Sequence, residues 1–268
     1  MEEQLPVEDT HDDDQKQDEW PEAKKTELLD ISKLRWHDME DLFIKLTPPQ
    51  WAVLFNMYAE EIRTAGRVLA NLVERKGHQL APKPWNIFRA YHLTPWVKTK
   101  VVIIGQDPYY LAEGSEPSAT GCCFECAPGM PIRQSLTTIL LRLESTVDGF
   151  KRPASGDLTN WAVQGVLLMN AALTTNVGEK LAHASIWEFF AIRVLQFLAE
   201  KKKHVVYMLW GRFAQGLKKY INANDNLILE ASHPAARGNG NTFRKCNHFN
   251  EANEYLASKG RTPIDWRL

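Results

Sequence analysis

Residues 101–110 read VVIIGQDPYY, and this stretch decides the fold. Val101, Val102, Ile103 and Ile104 form an unbroken β-branched run, the pattern of a strand buried on both faces of a parallel sheet. The run stops at Gly105-Gln106-Asp107-Pro108. Gly105 lets the backbone turn, and Pro108 prevents the strand from continuing. Asp107 therefore places a carboxylate just past a strand end, with the aromatic faces of Tyr109 and Tyr110 beside it. In open α/β sheets, ligands bind in the crevice at the carboxyl ends of strands. An aspartate in such a turn also serves to cap a following helix, so the residues alone leave both roles open.

Working outward, three more apolar runs read as strands, at about 166–170, 204–209 and 227–231. Helical patterns separate them. Ile186, Phe189, Phe190, Val194 and Leu198 share one face of a helix over 186–200, and residues 133–147 turn helical after the loop Ala127-Pro128-Gly129-Met130-Pro131. A last helix spans 249–259 and stops before Gly260. Upstream, Thr47-Pro48-Pro49 reads as the cap and first turn of a long helix reaching residue 76, with Gly77 as its stop. Residues 81–85 read as a loop opening a short helix, and 114–118 as loop. Strands alternating with helices predict an α/β fold: one domain around a central four-stranded, mainly parallel sheet flanked by helices on both faces.

The chain has 268 residues, of which 44% are hydrophobic and nine are tryptophan, enough for one large buried core. It holds no apolar run of 18 residues and no apolar leader at its start, so neither a membrane span nor a signal peptide is expected. Four cysteines in a chain of this length do not read as a disulfide framework and point to a reducing, intracellular setting. The net charge of −1 hides an asymmetry. Residues 1–20 hold nine acidic side chains and one basic one, Lys16, so they carry −8 and the remaining 248 residues carry +7. A basic body suits a phosphate-bearing partner, although an even spread of the same charge is ordinary for a globular domain. Residues 1–27, acidic and poor in apolar groups, are expected to be a disordered tail, with the folded domain filling 28–268.

GQDPYY resembles the water-activating motif of the family-1 uracil-DNA glycosylases. Five further segments fall in that family's order. Gly121-Cys122-Cys123-Phe124 resembles the short strand whose phenylalanine stacks on uracil. The run 166–174 resembles the strand that ends in the uracil-reading asparagine, here Asn170. Met208-Leu209-Trp210-Gly211 resembles the strand and turn that meet DNA phosphate. His233-Pro234, with Cys246-Asn247-His248-Phe249 after it, resembles the catalytic histidine loop and the next helix. Pro263-Ile264-Asp265-Trp266 resembles the C-terminal signature. The likeness covers about residues 80–268.

The resemblance implies hydrolysis of the N-glycosidic bond of uracil in single- or double-stranded DNA. Free uracil is released and an abasic site is left, after the nucleotide has been flipped from the stack. Asp107 would stabilise an oxocarbenium-like sugar and orient or deprotonate the attacking water. His233, as a neutral imidazole, would donate to the uracil oxygen where negative charge develops; a His-Pro pair read alone is more often a surface turn. Asn170 carries a donor and an acceptor that match the O4 and N3–H edge of uracil. Phe124 would stack on the base, Tyr109 would crowd C5 against thymine's methyl, and Gln106 would contribute contacts in the same recess. The bland readings are a turn asparagine and a core phenylalanine. DNA contacts fall to Pro131, Ser135, Gly211 through its N–H, Arg212, Pro234, Ala235 and Arg237.

This chain departs from the family pattern after His233, where the family reads H-P-S-P-L-S and its leucine wedges into the vacated stack. Here Ala235 lacks the serine hydroxyl and Arg237 stands at the wedge position. Arg212 replaces a small hydroxyl residue, and Tyr110 replaces the usual histidine. A DNA-binding or replication-accessory protein with weak catalysis is the alternative that these changes motivate. Cys123, Cys126, Cys246 and His248 could be read as zinc ligands, but Cys123 and Cys126 would lie on opposite faces of a strand, so buried thiols are the better reading. No metal or organic cofactor is implied. The expected partners are uracil-containing DNA and, by resemblance, DNA-mimicking inhibitor proteins, with the protein acting as a monomer in nucleus or cytoplasm according to its source.

Overall fold

The computed structural model describes Phe43, residues 45–238 and residues 240–268. The acidic segment 1–27 and the domain boundary expected at residue 28 lie outside the described residues. Eight strands are present among the described residues: β1 (Leu80–Ala81), β2 (Val101–Gly105), β3 (Ala112–Glu113), β4 (Glu116–Pro117), β5 (Val166–Asn170), β6 (Thr175–Asn176), β7 (Val206–Trp210) and β8 (Leu227–Ala231). The α-helices whose bounds lie within the described residues are α1 (Ala52–Met57), α2 (Ala59–Lys76), α3 (Arg89–Leu93), α4 (Gln134–Thr146), α5 (Thr159–Val163), α6 (Ala184–Lys201), α7 (Arg212–Gly216) and α8 (His248–Ser258).

The central sheet has the order β5-β2-β7-β8, and every pairing in it is parallel. All five residues of β2, β5 and β7 are buried, as strands covered on both faces must be. The cover comes from α3 and α5 against β5, α7 against β7, and α8 against β7 and β8. β8 is an edge strand, and its Leu227, Ile228 and Glu230 are partly exposed.

The expected strands and the helices over 133–147, 186–200 and 249–259 are present to within a few residues. The long helix expected from residue 47 is not continuous. A 3-10 turn at Pro49–Trp51 leads into α1, and Tyr58 (φ −121°, ψ 27°) then leaves helical geometry. α2 starts afresh with Glu60 and Glu61 in its first turn and Arg75 and Lys76 in its last, matching the helix dipole, and Gly77 ends it at φ 64°. Residues 112–117 form a hairpin rather than plain loop, and β1 pairs antiparallel with β6. Two-residue strands carry too little periodicity to read.

Two aromatic clusters fix the layers. Phe55, Phe88, Tyr91 and Phe190 pack edge-on or tilted against one another at ring separations of 4.8–6.2 Å. At the other end the C-terminal signature locks in place. Trp266 packs 5.0 Å from Phe249 and 5.3 Å from Trp161, its indole N–H donates to the Phe249 carbonyl, and its own carbonyl accepts from Trp161. The signature thus ties α8 to α5.

Candidate active site

The site begins where β2 and β5 run out side by side. Gly105 pairs with Asn170, and the chain stays tied beyond the strands, with Ala171 N–H donating to Gly105 and Ala172 N–H to Gln106. A Cβ on Gly105 would lie 2.2 Å from Asn170 Oδ1 and 2.6 Å from Cys123 Cβ. The glycine is therefore a requirement of space: the Asn170 carboxamide lies directly over its Cα. Asn170 is 4% exposed. An amide so nearly buried needs partners, which a ligand's donor–acceptor edge can supply.

Phe124 sits on a turn, not on the short strand that the resemblance implied. Its backbone is left-handed (φ 63°), a conformation that a bulky L residue holds only under constraint. Cys123 N–H donates to Leu168 of β5 and Cys126 N–H to Gly156, so the turn is pinned on both sides of Phe124. The Phe124 ring lies 5.7 Å from Trp210 at the end of β7 and 6.0 Å from His233 just past β8. The Tyr109 hydroxyl donates to the Phe124 carbonyl at 3.2 Å. Phe124, Tyr109 and His233 are thus brought together, with Asn170 beside the same turn through Gly105 and Cys123.

Asp107 Oδ2 accepts from the backbone N–H of Leu181 at 2.8 Å. Burial pushes its carboxyl above the ordinary range, while the Leu181 N–H and the nearby Lys180 ammonium work in the opposite direction and favour the carboxylate. Lys180 lies 5.1 Å over the Tyr110 ring, and the Tyr110 carbonyl accepts from Gly178 N–H. Segment 178–181 therefore braces the GQDPYY turn. Nothing in its own sequence marks it, because its hydrogen bonds to the turn come from the backbone of Gly178 and Leu181 and its one side-chain contributor, Lys180, is an ordinary surface residue type.

His233 Nδ1 accepts from the Ala235 N–H at 3.1 Å. In the neutral ring the proton then sits on Nε2, which is left as a donor. Desolvation by its neighbours, and secondarily Lys180, hold the imidazole below its usual pKa although one side of the residue is exposed, so the neutral form is favoured. Asn241 organises this loop: its amide donates to the carbonyls of Pro234 and Ala236, and its Oδ1 accepts from Phe243 N–H. Sequence reasoning passed over Asn241; its only signal is an asparagine ahead of a short 3-10 turn.

The outer face differs from expectation in one respect. The Gly211 N–H is engaged by the Ala231 carbonyl at 2.8 Å, so it is not available to phosphate. Gly211 matters instead for space, since a Cβ there would meet the His233 Cβ at 3.0 Å. Arg212 is exposed at the start of α7, on a ridge between two grooves. One, of about 520 Å³, reaches Gln106, Leu181 and Phe213; the other, of about 510 Å³, reaches His233, Ala236 and Thr242. Arg237 and Pro131 are exposed, Ala235 is half-buried, and Pro234 and Ser135 are buried, the last as the second residue of α4.

Among the described residues no three His, Cys, Asp or Glu groups are placed to hold a metal ion. Cys122, Cys123 and Cys126 are buried free thiols, and His248 Nδ1 accepts from the Trp210 indole. No helix among the described residues is long and apolar enough to cross a membrane.

A carboxylate just past β2 and a donor imidazole just past β8, at the same end of one parallel sheet, suit a bond whose two halves part with opposite charge, which is the work of a glycosidic-bond hydrolase. The family follows from comparison: residues 92–257 match the model of the uracil DNA glycosylase superfamily, and the chain belongs to it. It is 42% identical over 193 residues to a uracil-DNA glycosylase of Neisseria meningitidis serogroup C, covering 72% of this chain and 86% of that protein. Among solved structures it is similar to mimivirus uracil-DNA glycosylase (TM-score 0.78, 28% identity, 85% of this chain and 89% of that one). It is similar also to a mimivirus UNG variant in complex with UGI (TM-score 0.77, 26% identity, 88% of this chain and 97% of that one).

Proposed function

We propose that this protein excises uracil from DNA by hydrolysing its N-glycosidic bond, releasing the free base and leaving an abasic site for repair. The single observation that carries the residue assignments is the shared position of Asn170 and Phe124. The amide that can read a base edge ends β5, and the ring that can floor it stands on the turn that Cys123 ties to the same strand. The target bond is out of reach in a stacked duplex, so the nucleotide is flipped into this recess. Asn170 donates to O4 and accepts from N3–H, an order that cytosine reverses. Phe124 stacks on the base, and Tyr109, fixed by its bond to the Phe124 carbonyl, excludes a C5 methyl. Gln106 contributes to the recess from the same turn as Asp107.

As the bond lengthens, positive charge gathers on the sugar and negative charge on uracil. The Asp107 carboxylate answers the first and orients the water; the His233 Nε2–H answers the second. Pro131, Arg212, Ala235 and Arg237 line the approach of the DNA strand, the buried Ser135 and Pro234 shape the segments that carry them, and Gly211 gives the close turn behind. All of these groups belong to one chain, so the reading needs no second copy. DNA-mimicking proteins of the kind that UGI represents would compete for the same face. The protein works in the compartment that holds the genome. Release of uracil from a uracil-containing oligonucleotide, in wild type and in Asp107→Asn and His233→Leu, is the test. Wild-type release by either variant would remove that residue from the mechanism, and no release by the wild type would leave a DNA-binding protein.

A further inference from the structure

Immediately after Phe124 stands a group that the mechanism does not use. Glu125 is 1% exposed, and its carboxylate is the hub of a buried cluster. It accepts from the Thr120 hydroxyl and the Arg89 guanidinium, and its Oε1 accepts from the Leu158 N–H at 3.0 Å. Arg89 donates in turn to Thr159 Oγ1 at 2.8 Å and contacts Cys122 Sγ at 3.4 Å. Arg89 belongs to α3, and Leu158 and Thr159 open α5. One carboxylate therefore fastens both arms of the turn 120–126 to two elements behind the site.

We propose that Glu125 is a positioning residue for base recognition: through this clamp it holds Phe124 in the left-handed backbone conformation that brings its ring to the strand ends. The inference rests on the reading that Phe124 stacks on uracil. Left-handed backbone at a bulky residue persists where the surroundings over-determine it, and the Phe124 peptide is fixed on one side by Cys123 to Leu168 and on the other by Glu125. The Phe124 carbonyl also anchors the Tyr109 hydroxyl, so loosening the turn releases the base's floor and the C5 barrier together. A buried ion pair is weak evidence for stability alone, since replacing such a pair by apolar groups is often neutral. Its placement directly behind Phe124 is what assigns it a role in recognition.

The experiment is a double-mutant cycle. Single-turnover excision from a single-stranded uracil oligonucleotide and inhibition by free uracil are measured for wild type, Glu125→Ala, Glu125→Gln, Phe124→Ala and Glu125→Ala with Phe124→Ala, with thermal melts alongside. Glu125→Ala should lose roughly tenfold or more in rate, the lower range of what base stacking contributes, with a parallel loss in free-uracil inhibition. Glu125→Gln, which keeps an acceptor for Leu158, should lose less. In the Phe124→Ala background the Glu125 substitution should cost nothing further. Should Glu125→Ala fail to fold, Thr120→Val and Glu125→Gln carry the same cycle. A folded Glu125→Ala protein with wild-type rate and uracil inhibition overturns the inference, as does a loss that persists in full without Phe124. The stacking reading itself fails on a different result, wild-type uracil inhibition in Phe124→Ala alone.

Discussion

Gly105→Ala adds one methyl group at the most crowded point of the site. That carbon would lie 2.2 Å from Asn170 Oδ1 and 2.6 Å from Cys123 Cβ, distances at which something must move. The backbones on either side are pinned: Ala171 N–H is bound to Gly105, and Cys123 N–H to Leu168. The easiest relief is rotation of the Asn170 side chain out of the recess, with smaller shifts of the Cys123 turn. Overpacking of this kind costs about 1–3 kcal/mol, which for a domain of this size lowers Tm by roughly 2–12 °C. The effect on excision should be larger. With Asn170 turned away, uracil loses both edge partners, and losing such oriented groups from a site costs on the order of 10²–10³ in rate. Single-turnover excision from a uracil oligonucleotide, measured below the melting range, reads this directly. Adding Gly105→Ala to Asn170→Ala should slow the reaction little beyond Asn170→Ala alone, because the shared mediator has already gone. A folded Gly105→Ala protein that excises uracil at the wild-type rate would refute the reasoning, as would full additivity of the two substitutions.

Other perturbations reach other parts of the mechanism. The proposed mechanism requires Asp107 ionised, with a pKa raised above the ordinary carboxylate value, and His233 neutral, with a pKa lowered from 6.5. Both protonate on acidification, so the rate should fall only on the acid side; Asp107→Asn should remove most turnover while keeping uracil-DNA binding, and a basic limb set by these two groups would contradict the assignment. Tyr109→Ala should admit thymine by opening space at C5, which release of thymine from a matched oligonucleotide would reveal and whose absence in a folded variant would assign that barrier to another group. Arg237→Leu should flatten the salt dependence of duplex binding by about 0.9 log units if Arg237 meets one phosphate, and an unchanged slope would remove Arg237 from the interface. His183 and His248, 1% and 5% exposed, have pKa values lowered from 6.5 to about 4 by burial. Because the folded protein holds them neutral, their stabilisation is present above pH 6.5 and is lost as the pH falls toward 4, on the order of 3 kcal/mol each. The midpoint of denaturant melts should fall from pH 7 to pH 4 accordingly, and should fall less in a His183→Gln variant.

The sequence by itself determined the sheet and the identity of its chemical groups. Buried parallel strands must be apolar on both faces, so β2, β5 and β7 appear as short uninterrupted runs ending at Gly105, Asn170 and Trp210, and their shortness and flanking turn residues separate them from helices. Asp107, Asn170 and His233 were visible because strand ends are where such a fold gathers its ligand groups, and because their neighbours match a family pattern. What only the tertiary structure decided is how those groups are held. That Gly105 must lack a side chain follows from an amide arriving from β5, 65 residues away along the chain. The Leu181 N–H at Asp107, the Asn241 amide under the histidine loop and the Arg89 guanidinium at Glu125 act through backbone groups or distant partners, which leave no periodic trace. The Gly211 N–H illustrates the same limit: a sequence shows a donor, but only the packed chain shows that Ala231 has already taken it. Periodicity records which faces are buried, whereas hydrogen bonds between segments far apart in sequence depend on the three-dimensional path, and the path is fixed only when the whole core closes.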